Sequence, residues 1–153
     1  MAALSAVADI RSRVGKQPNL RDVPLKSGYK VYQGAIVVIQ QSTGYGRPGF
    51  AGSGCVAIGV AQKTVDNTSA GTAPGANTDG GLSVPVKSGG IFGPFADSGD
   101  GNAPAITDRT KVCYLVDDNT ITMSSSSASV AGIVADVDSE GVWVEIDPDG
   151  RQS

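Results

Sequence analysis

Short runs of apolar, largely β-branched residues, separated by stretches rich in glycine and serine, constrain the fold of this 153-residue chain more than any other feature. Such runs occupy residues 35–39, 55–61, 130–134 and 142–146. β-branched side chains fit a pleated surface better than a helix, and apolar runs of this length bounded by turn residues are typical of strands. The sequence therefore predicts an all-β fold.

The strand pattern also predicts local details. The nearly continuous apolar run at 55–61 predicts a buried strand, whereas Leu82–Val86 alternates and contains Pro85, which predicts an edge or a bulge. Asp117-Asp118-Asn119 and Asp138–Gly141 each lie between two apolar runs and predict hairpin turns. The acidic side chains of these turns are expected to face solvent.

The charge is unevenly distributed along the chain. Its net charge is −3, which disfavours nucleic acid as the main partner. Residues 1–28 carry a net charge of +3 and the remaining residues −6. We expect a short helical turn within residues 2–14, and an extended path for 15–28, because Pro18 and Pro24 prevent a continuous helix. The chain thus divides into an extended basic N-terminal arm, 1–28, and a β-rich domain, 29–153.

The sequence contains few of the residue patterns that catalysis or metal binding requires. The chain has no histidine, which removes the usual proton shuttle and every histidine-based zinc site. Asp136, Asp138, Glu140 and Gly141 mimic the spacing of a calcium-binding loop, but the flanking residues have the period of strands, so we interpret the segment as strand–turn–strand. Cys55 and Cys113 are expected to be buried free thiols in a reducing compartment. We expect no catalytic residue, metal or cofactor.

Trp143 lies between Val142 and Val144, so its side chain points to the opposite face from theirs. Two alternatives remain open at this point. An exposed Trp143 would be an anchor for a partner, whereas a buried one would belong to a second packed layer.

Several of these segments resemble the small capsid decoration, or cement, proteins of tailed bacteriophages. The likeness covers about residues 29–147 and is carried by 58–61, 84–86 followed by 89–92, 111–114 followed by 120–122, 132–134, and 141–146. The basic arm and the long polar loop at 64–81 depart from the shorter members of this family.

The resemblance implies a compact β-barrel or β-tulip-like domain that binds the outside of an assembled phage head and stabilises contacts between neighbouring capsomers. It implies the major capsid protein as partner, a homo-oligomer (a trimer favoured over a dimer), and a location on the virion after synthesis in the host cytoplasm. Neither nucleic acid nor a membrane is an expected partner. The candidate contact residues are Arg11, Arg13, Lys16, Arg21, Lys26 and Trp143.

Two other classes of function are weighed against this one. A tail, fibre or adhesin β-module that binds host glycans would need exposed aromatic side chains, for which Tyr45, Phe50 and Trp143 are the candidates. A small β-rich nucleotide hydrolase would need carboxylates around a phosphate-binding loop, and the sequence offers no convincing set.

Overall fold

The apolar runs form strands that are buried on one or both faces. The computed structural model describes residues 3–13, 19–127 and 129–148, and thirteen strands lie within these ranges. They are β1 (Arg11–Arg13), β2 (Asn19–Pro24), β3 (Tyr29–Val31), β4 (Ile36–Gln40), β5 (Tyr45–Pro48), β6 (Cys55–Ala61), β7 (Val65–Asn67), β8 (Ser83–Ser88), β9 (Gly90–Asp97), β10 (Val112–Leu115), β11 (Thr120–Thr122), β12 (Val130–Asp138) and β13 (Gly141–Ile146).

Helical structure is minor in this fold. Two single 3₁₀ turns, Ile106–Asp108 and Ser125–Ser127, are the helical elements of the described residues. In the same part of the chain, no helix is long and apolar enough to cross a membrane. The prediction of an all-β fold is confirmed, and the strands include a closed five-stranded barrel.

The barrel is built from β9, β11, β10, β12 and β13, and it closes because β9 pairs with both β11 and β13. Alternate residues of β13 (Val142, Val144 and Ile146) point into its core, together with Phe92 and Phe95 of β9. β-branched and aromatic side chains fill this interior, as the period of two in β13 requires.

A five-stranded sheet in the order β2-β8-β6-β4-β5 packs against the barrel. Ile36 and Val38 of β4 join the barrel core, while Val37, between them, joins a second core on the far side of the sheet. This second core also receives Val31 and Val65, from the two-stranded ribbon of β3 and β7. The sheet is therefore buried on both faces, which explains the continuous apolar run that β6 shares with β4.

A β-bulge in β6 lets this strand serve both cores. Val37 and Val38 of β4 pair with Gly59 and Ala57, so Ile58 is the additional residue. The bulge shifts the alternation, and Val60 faces the same core as Ala57, three residues earlier. Gly59 is required here, because a Cβ at this position would overlap the carbonyl oxygen of Lys87 on the neighbouring strand.

The N-terminal residues are part of both sheets. β1 pairs with β9 of the barrel, and β2 pairs with β8 along its whole length. The extended path is confirmed for 19–24, but the helical turn expected within 2–14 is wrong for the described residues 3–13, which contain no helix. The division at residue 28 stays a prediction, and the strands before it share sheets with the strands after it.

The position predicted for Pro85 is wrong, and β2 is the reason. β8 lies between β2 and β6, so it is an internal strand. Pro85 faces Asp22 of β2, and its carbonyl oxygen accepts a hydrogen bond from the Gln62 backbone N–H at 2.8 Å, just beyond the end of β6. Pro85 thus contributes its carbonyl oxygen to the pairing with β6, where the backbone N–H that proline lacks is not needed. Without β2, β8 would be an edge strand.

Both hairpin predictions are confirmed, since β10 pairs with β11 and β12 with β13 in antiparallel orientation. The expectation that the acidic turn residues face solvent is wrong for Asp118. Only 3% of this residue is exposed, because β4 and the chain near Leu4 pack against the turn.

Leu25 and Leu20 provide a test of whether the N-terminal residues are part of the core. Leu25 is fully buried, whereas Leu20, on β2, is 67% exposed. Leu25→Ala should lower the free energy of unfolding by about 2–5 kcal/mol through lost burial and the resulting cavity. Leu20→Ala should change it by less than about 0.5 kcal/mol. Urea unfolding of both variants measures this, and equal values for the two would contradict the packing described here.

A second test concerns the bulge in β6. Gly59→Ala places a methyl group against backbone atoms of Lys87 that cannot move aside, and it should lower the free energy of unfolding by about 3 kcal/mol. Gly101→Ala is the matched control, because a Cβ there meets no atom within 4 Å. Urea unfolding should separate the two variants clearly, and a neutral Gly59→Ala would show that β6 and β8 are not in close contact.

Candidate functional site

Two of the predicted contact residues, Arg11 and Trp143, meet at the turn between β12 and β13. The Arg11 guanidinium lies 2.6 Å from the Glu140 carboxylate and 5.4 Å from the centroid of the Trp143 ring. The Trp143 indole N–H donates to Asp138 Oδ2 at 3.1 Å. These contacts attach β1 to the outside of the barrel.

Trp143 is 3% exposed, so the alternative of an exposed anchor is wrong and that of a second buried layer is correct. Its ring packs against Gly93 of β9, where a Cβ would come within 2.9 Å of the indole. Gly93 is also the residue that Arg11 faces in the register of β1 and β9. The additional layer is therefore formed in part by the N-terminal residues themselves.

The turn that mimics a calcium loop is the predicted hairpin, and Asp138 shapes it. Asp138 Oδ1 accepts the backbone N–H groups of Glu140 and Gly141, at 2.9 and 3.2 Å. A shallow cleft of about 370 Å³ separates this turn from residues 94–97. Among the described residues, no group of three or more carboxylate or thiol side chains is arranged to hold a metal ion.

Two other predicted basic residues, Arg21 and Lys26, lie on or just after β2 of the five-stranded sheet rather than beside Trp143. Lys26, just after β2, forms an ion pair with Asp79 at 2.9 Å, and the Ser27 backbone N–H donates to the same carboxylate at 3.0 Å. The Ser27 and Lys26 hydrogen bonds lower the pKa of Asp79 to about 2. Arg21 of β2 is also engaged within the protein.

The structure therefore brings Arg11 and Trp143 together and separates them from Arg21 and Lys26. Arg13 belongs to β1, opposite Ile91. Lys16 lies outside the described residues. The positive charge of the N-terminal segment is partly neutralised by acidic residues of the same chain.

Asn67 organises the long polar loop and was not singled out as a structural residue from the sequence. It is fully buried, and its side-chain N–H groups point to the carbonyl oxygens of Leu25, Lys26 and Thr78 at 2.9–3.2 Å. Its Oδ1 accepts the Asn77 backbone N–H at 2.9 Å. Together with the contacts of Asp79 and the Gly80 N–H bond to the Leu25 carbonyl oxygen, this side chain fixes residues 68–81 to the chain that follows β2. The only sequence signal at Asn67 was an Asn-Thr-Ser glycosylation sequon, and the buried amide is inaccessible to that modification.

A second unpredicted cluster surrounds Arg47. Its guanidinium lies 4.3 Å from the centroid of the Tyr29 ring and 3.7 Å from that of Phe50, and it donates to the Tyr29 hydroxyl at 2.7 Å. One face of each ring is thus in contact with the Arg47 guanidinium, in a cation–π interaction within the protein. The sequence signal was an arginine among aromatic residues in a glycine-rich loop, 42–54.

The cysteines are free, as expected, but only one is fully buried. Cys113 has no exposed surface, and burial raises the pKa of its thiol to about 12. Cys55 is half-buried, and burial raises its pKa while the nearby Arg47 opposes that shift. Both thiols are therefore weak nucleophiles at neutral pH.

Asp118 is the ionisable group whose environment is least expected from sequence. Its Oδ1 accepts the Leu4 backbone N–H at 2.8 Å, and its own carbonyl oxygen accepts the Ile36 N–H at 2.8 Å. Burial raises the pKa of Asp118 to about 6; the hydrogen bond from the Leu4 N–H opposes this shift, and Asp117 adds a smaller upward contribution. A carboxyl group of this kind exchanges a proton near neutral pH.

Comparison of the chain with protein-family models, with curated proteins and with solved structures finds no match.

Asn67→Ala tests the role assigned to this buried side chain. The variant removes the side-chain hydrogen bonds to the Leu25, Lys26 and Thr78 carbonyl oxygens and leaves the Asn77 N–H without its acceptor, and it should lower the free energy of unfolding by about 1–3 kcal/mol. A broad-specificity protease should cut within 68–81 faster than in the wild type. Asn102→Ala, at an exposed position, is the control. Unchanged protease resistance of Asn67→Ala would show that the loop is held by other contacts.

Proposed function

We propose that this chain is a structural protein that decorates the outside of a tailed-phage head, where it holds neighbouring capsomers together without a catalytic step. Support comes from the sequence resemblance over 29–147 and from the rigidity that the fold provides. A clamp must transmit force between its contact points without deforming, and several modest contacts then add through effective concentration.

The single observation on which the proposal rests most is the attachment of the surface segments to the body. The loop 68–81 is fixed by the buried Asn67 and by the contacts of Asp79 with Lys26 and Ser27, and the N-terminal strand β2 is paired with β8 along its whole length. Segments on opposite sides of the sheet are thereby parts of one double-core body. This is the mechanical property that a cement protein needs, with the major capsid protein as its partner and a homo-oligomer as its functional form.

The alternative of a glycan-binding β-module loses its candidate residues. Trp143 is buried, Phe50 is covered by Arg47, and Tyr45 packs against Gly80 of the fixed loop. Sugar rings stack on open aromatic faces, so these three side chains do not form an evident platform. We therefore retain the decoration reading as the better-supported proposal.

Binding to heads of the phage that carries this gene is the direct test. Purified protein should co-sediment with mature heads that lack it, saturate at a fixed ratio to the capsid protein, and appear in electron micrographs as added density at symmetry-related positions. Decorated heads should also survive heating that breaks bare heads. Absence of co-sedimentation would contradict the proposal, and binding to a glycan array instead would support the alternative.

A charge variant tests the part that basic N-terminal residues take in binding. A deletion of 1–27 is unsuitable, because it removes Val23 and Leu25 from the core. The double variant Arg11→Gln with Lys26→Gln should reduce head occupancy, and more strongly at low salt, where charge contacts are least screened. Lys111→Gln is the matched control, since Lys111 is also a surface cation in an ion pair, with Asp108. Equal occupancy for both variants would show that these charges do not contact the shell.

A further inference from the structure

Residues 3–13, which we name the N-terminal strap, cross the surface from one hairpin turn to another. At the start, the Leu4 backbone N–H donates to Asp118 in the β10–β11 turn. In the middle, the Ala8 N–H donates to the Gln33 carbonyl oxygen at 2.9 Å. At the end, Arg11 reaches Glu140 in the β12–β13 turn. Besides the Ala8 bond, the strap is held by β1, which is three residues long and pairs with β9 at the edge of the barrel sheet. A short segment at a sheet edge is among the parts of a fold that open locally.

The body is shaped to receive the strap. Gly34 has a φ of +93°, and a Cβ there would come within 2.8 Å of the Ala8 side chain, so only glycine leaves room for the crossing. Leu4 packs against the core beyond the five-stranded sheet, and Ile10 against the barrel core. The closed position therefore has its own complementary surface.

The first anchor places an ionisable group beneath the strap. Asp118 faces the backbone of β4 through Ile36, the backbone near Gly49 and the Leu4 N–H, and the charged group acting on it is Asp117 of the same turn. Among the described residues, no cation lowers its pKa. The ionised carboxylate is compensated mainly by one N–H group of the strap itself.

The last anchor contains the only tryptophan of the chain. Arg11 lies over the Trp143 ring, and the strap's β1 occupies the edge of β9 beside it. The Arg11–Glu140 pair is about half exposed on both sides, so it contributes little to holding the strap by itself. Opening this end would give water access to an indole that is otherwise 3% exposed.

We propose that the N-terminal strap opens and closes on the body of the free protein, and that protonation of Asp118 is the latch that favours the closed position. When the strap leaves, water reaches the carboxyl group and its charge becomes solvated. When the strap closes, both forms accept the Leu4 N–H, and the charged form also loses its hydration. The loss of hydration is larger than the gain that the charged form draws from this hydrogen bond, so the neutral form is favoured.

The direction of the pH effect follows from the raised pKa of Asp118, which is about 6 in the closed protein against an ordinary value of about 3.9. The closed form binds the proton more tightly, so closing is strongest below about pH 4 and weakens as the pH rises through 6. If opening fully solvates the carboxyl, the closing equilibrium changes by about 100-fold across this range. Acid therefore secures the strap, and neutral pH loosens it.

The biological purpose of this latch, though not the latch itself, rests on the proposed function. An open strap would free Arg11 and the edge of β9 at Ile91–Gly93 for contact with the capsid shell. At acidic pH the closed strap would keep the same groups in contact with the body. The experiment below uses the isolated protein, so failure of the latch and failure of head binding are separate results.

Quenching of Trp143 fluorescence by acrylamide tests the latch at constant ionic strength between pH 4.5 and 7.5. The quenching constant of the wild type should rise severalfold with pH, and hydrogen exchange at residues 3–13, corrected for intrinsic rates, should become faster in parallel. Asp118→Asn, which keeps the Oδ1 acceptor without a charge, should show low quenching at every pH. Asp117→Asn should keep the pH dependence, because Asp118 still titrates.

Arg11→Ala calibrates the readout, since it uncovers the Trp143 ring and should give high quenching throughout. Circular dichroism at each pH establishes that every variant is folded. A pH dependence that persists unchanged in Asp118→Asn would overturn the proposal, as would constant wild-type quenching from pH 4.5 to 7.5. A pH dependence that appears only together with a change in oligomer mass would also overturn it, since the strap would then be exchanged between copies.

Discussion

The burial of the five-stranded sheet on both faces is the constraint on which the rest of the structure depends. A sheet with two buried faces needs apolar residues on both faces of its central strands, and residues 36–39 of β4 and 57–61 of β6 supply them. It also needs something to cover each face, so the barrel lies on one side and the β3–β7 ribbon, with the chain near Leu25, on the other. The bulge at Ile58, followed by Gly59, shifts the side-chain alternation of β6. Ala57 and Val60 therefore face the barrel core, and Ile58 and Ala61 face the second core.

This constraint also explains why the N-terminal residues belong to the fold. The face of the sheet opposite the barrel is completed by Val23 and Leu25, and β2 occupies the edge that β8 would otherwise leave open. Strand edges with unpaired N–H and C=O groups promote association, and β2 covers the edge of β8 within the chain. The same strands are the ones that we expect to meet a partner, so binding must either use their outer faces or compete with their contacts to the body.

The sequence predictions were accurate where the residues that determine a feature lie within the same segment, and inaccurate where they lie far away in sequence. The two hairpins and the buried strand β6 were predicted correctly because turn residues and apolar runs lie within the segment itself. Three features depend on β2 and the strap: the internal position of Pro85 and the burial of Asp118 and Trp143. Both segments are distant in sequence from these residues, and no pattern in them predicts where they pack. The buried Asn67 was missed for the same reason, since its partners lie near residues 25 and 78.

The electrostatic argument for an adhesive arm changes once these contacts are known. A net charge of +3 on residues 1–28 predicts attraction to acidic surfaces, but Arg11 and Lys26 already face Glu140 and Asp79 in the free protein. A shell that binds these cations must replace those pairs, and exchanging one exposed ion pair for another gains little free energy. Affinity for a capsid would therefore come mainly from shape and from the number of simultaneous contacts, with the charges setting orientation and association rate. A rigid body with a strap that can open is consistent with that division of roles, because the body provides the geometry and the open strap adds contacts to it.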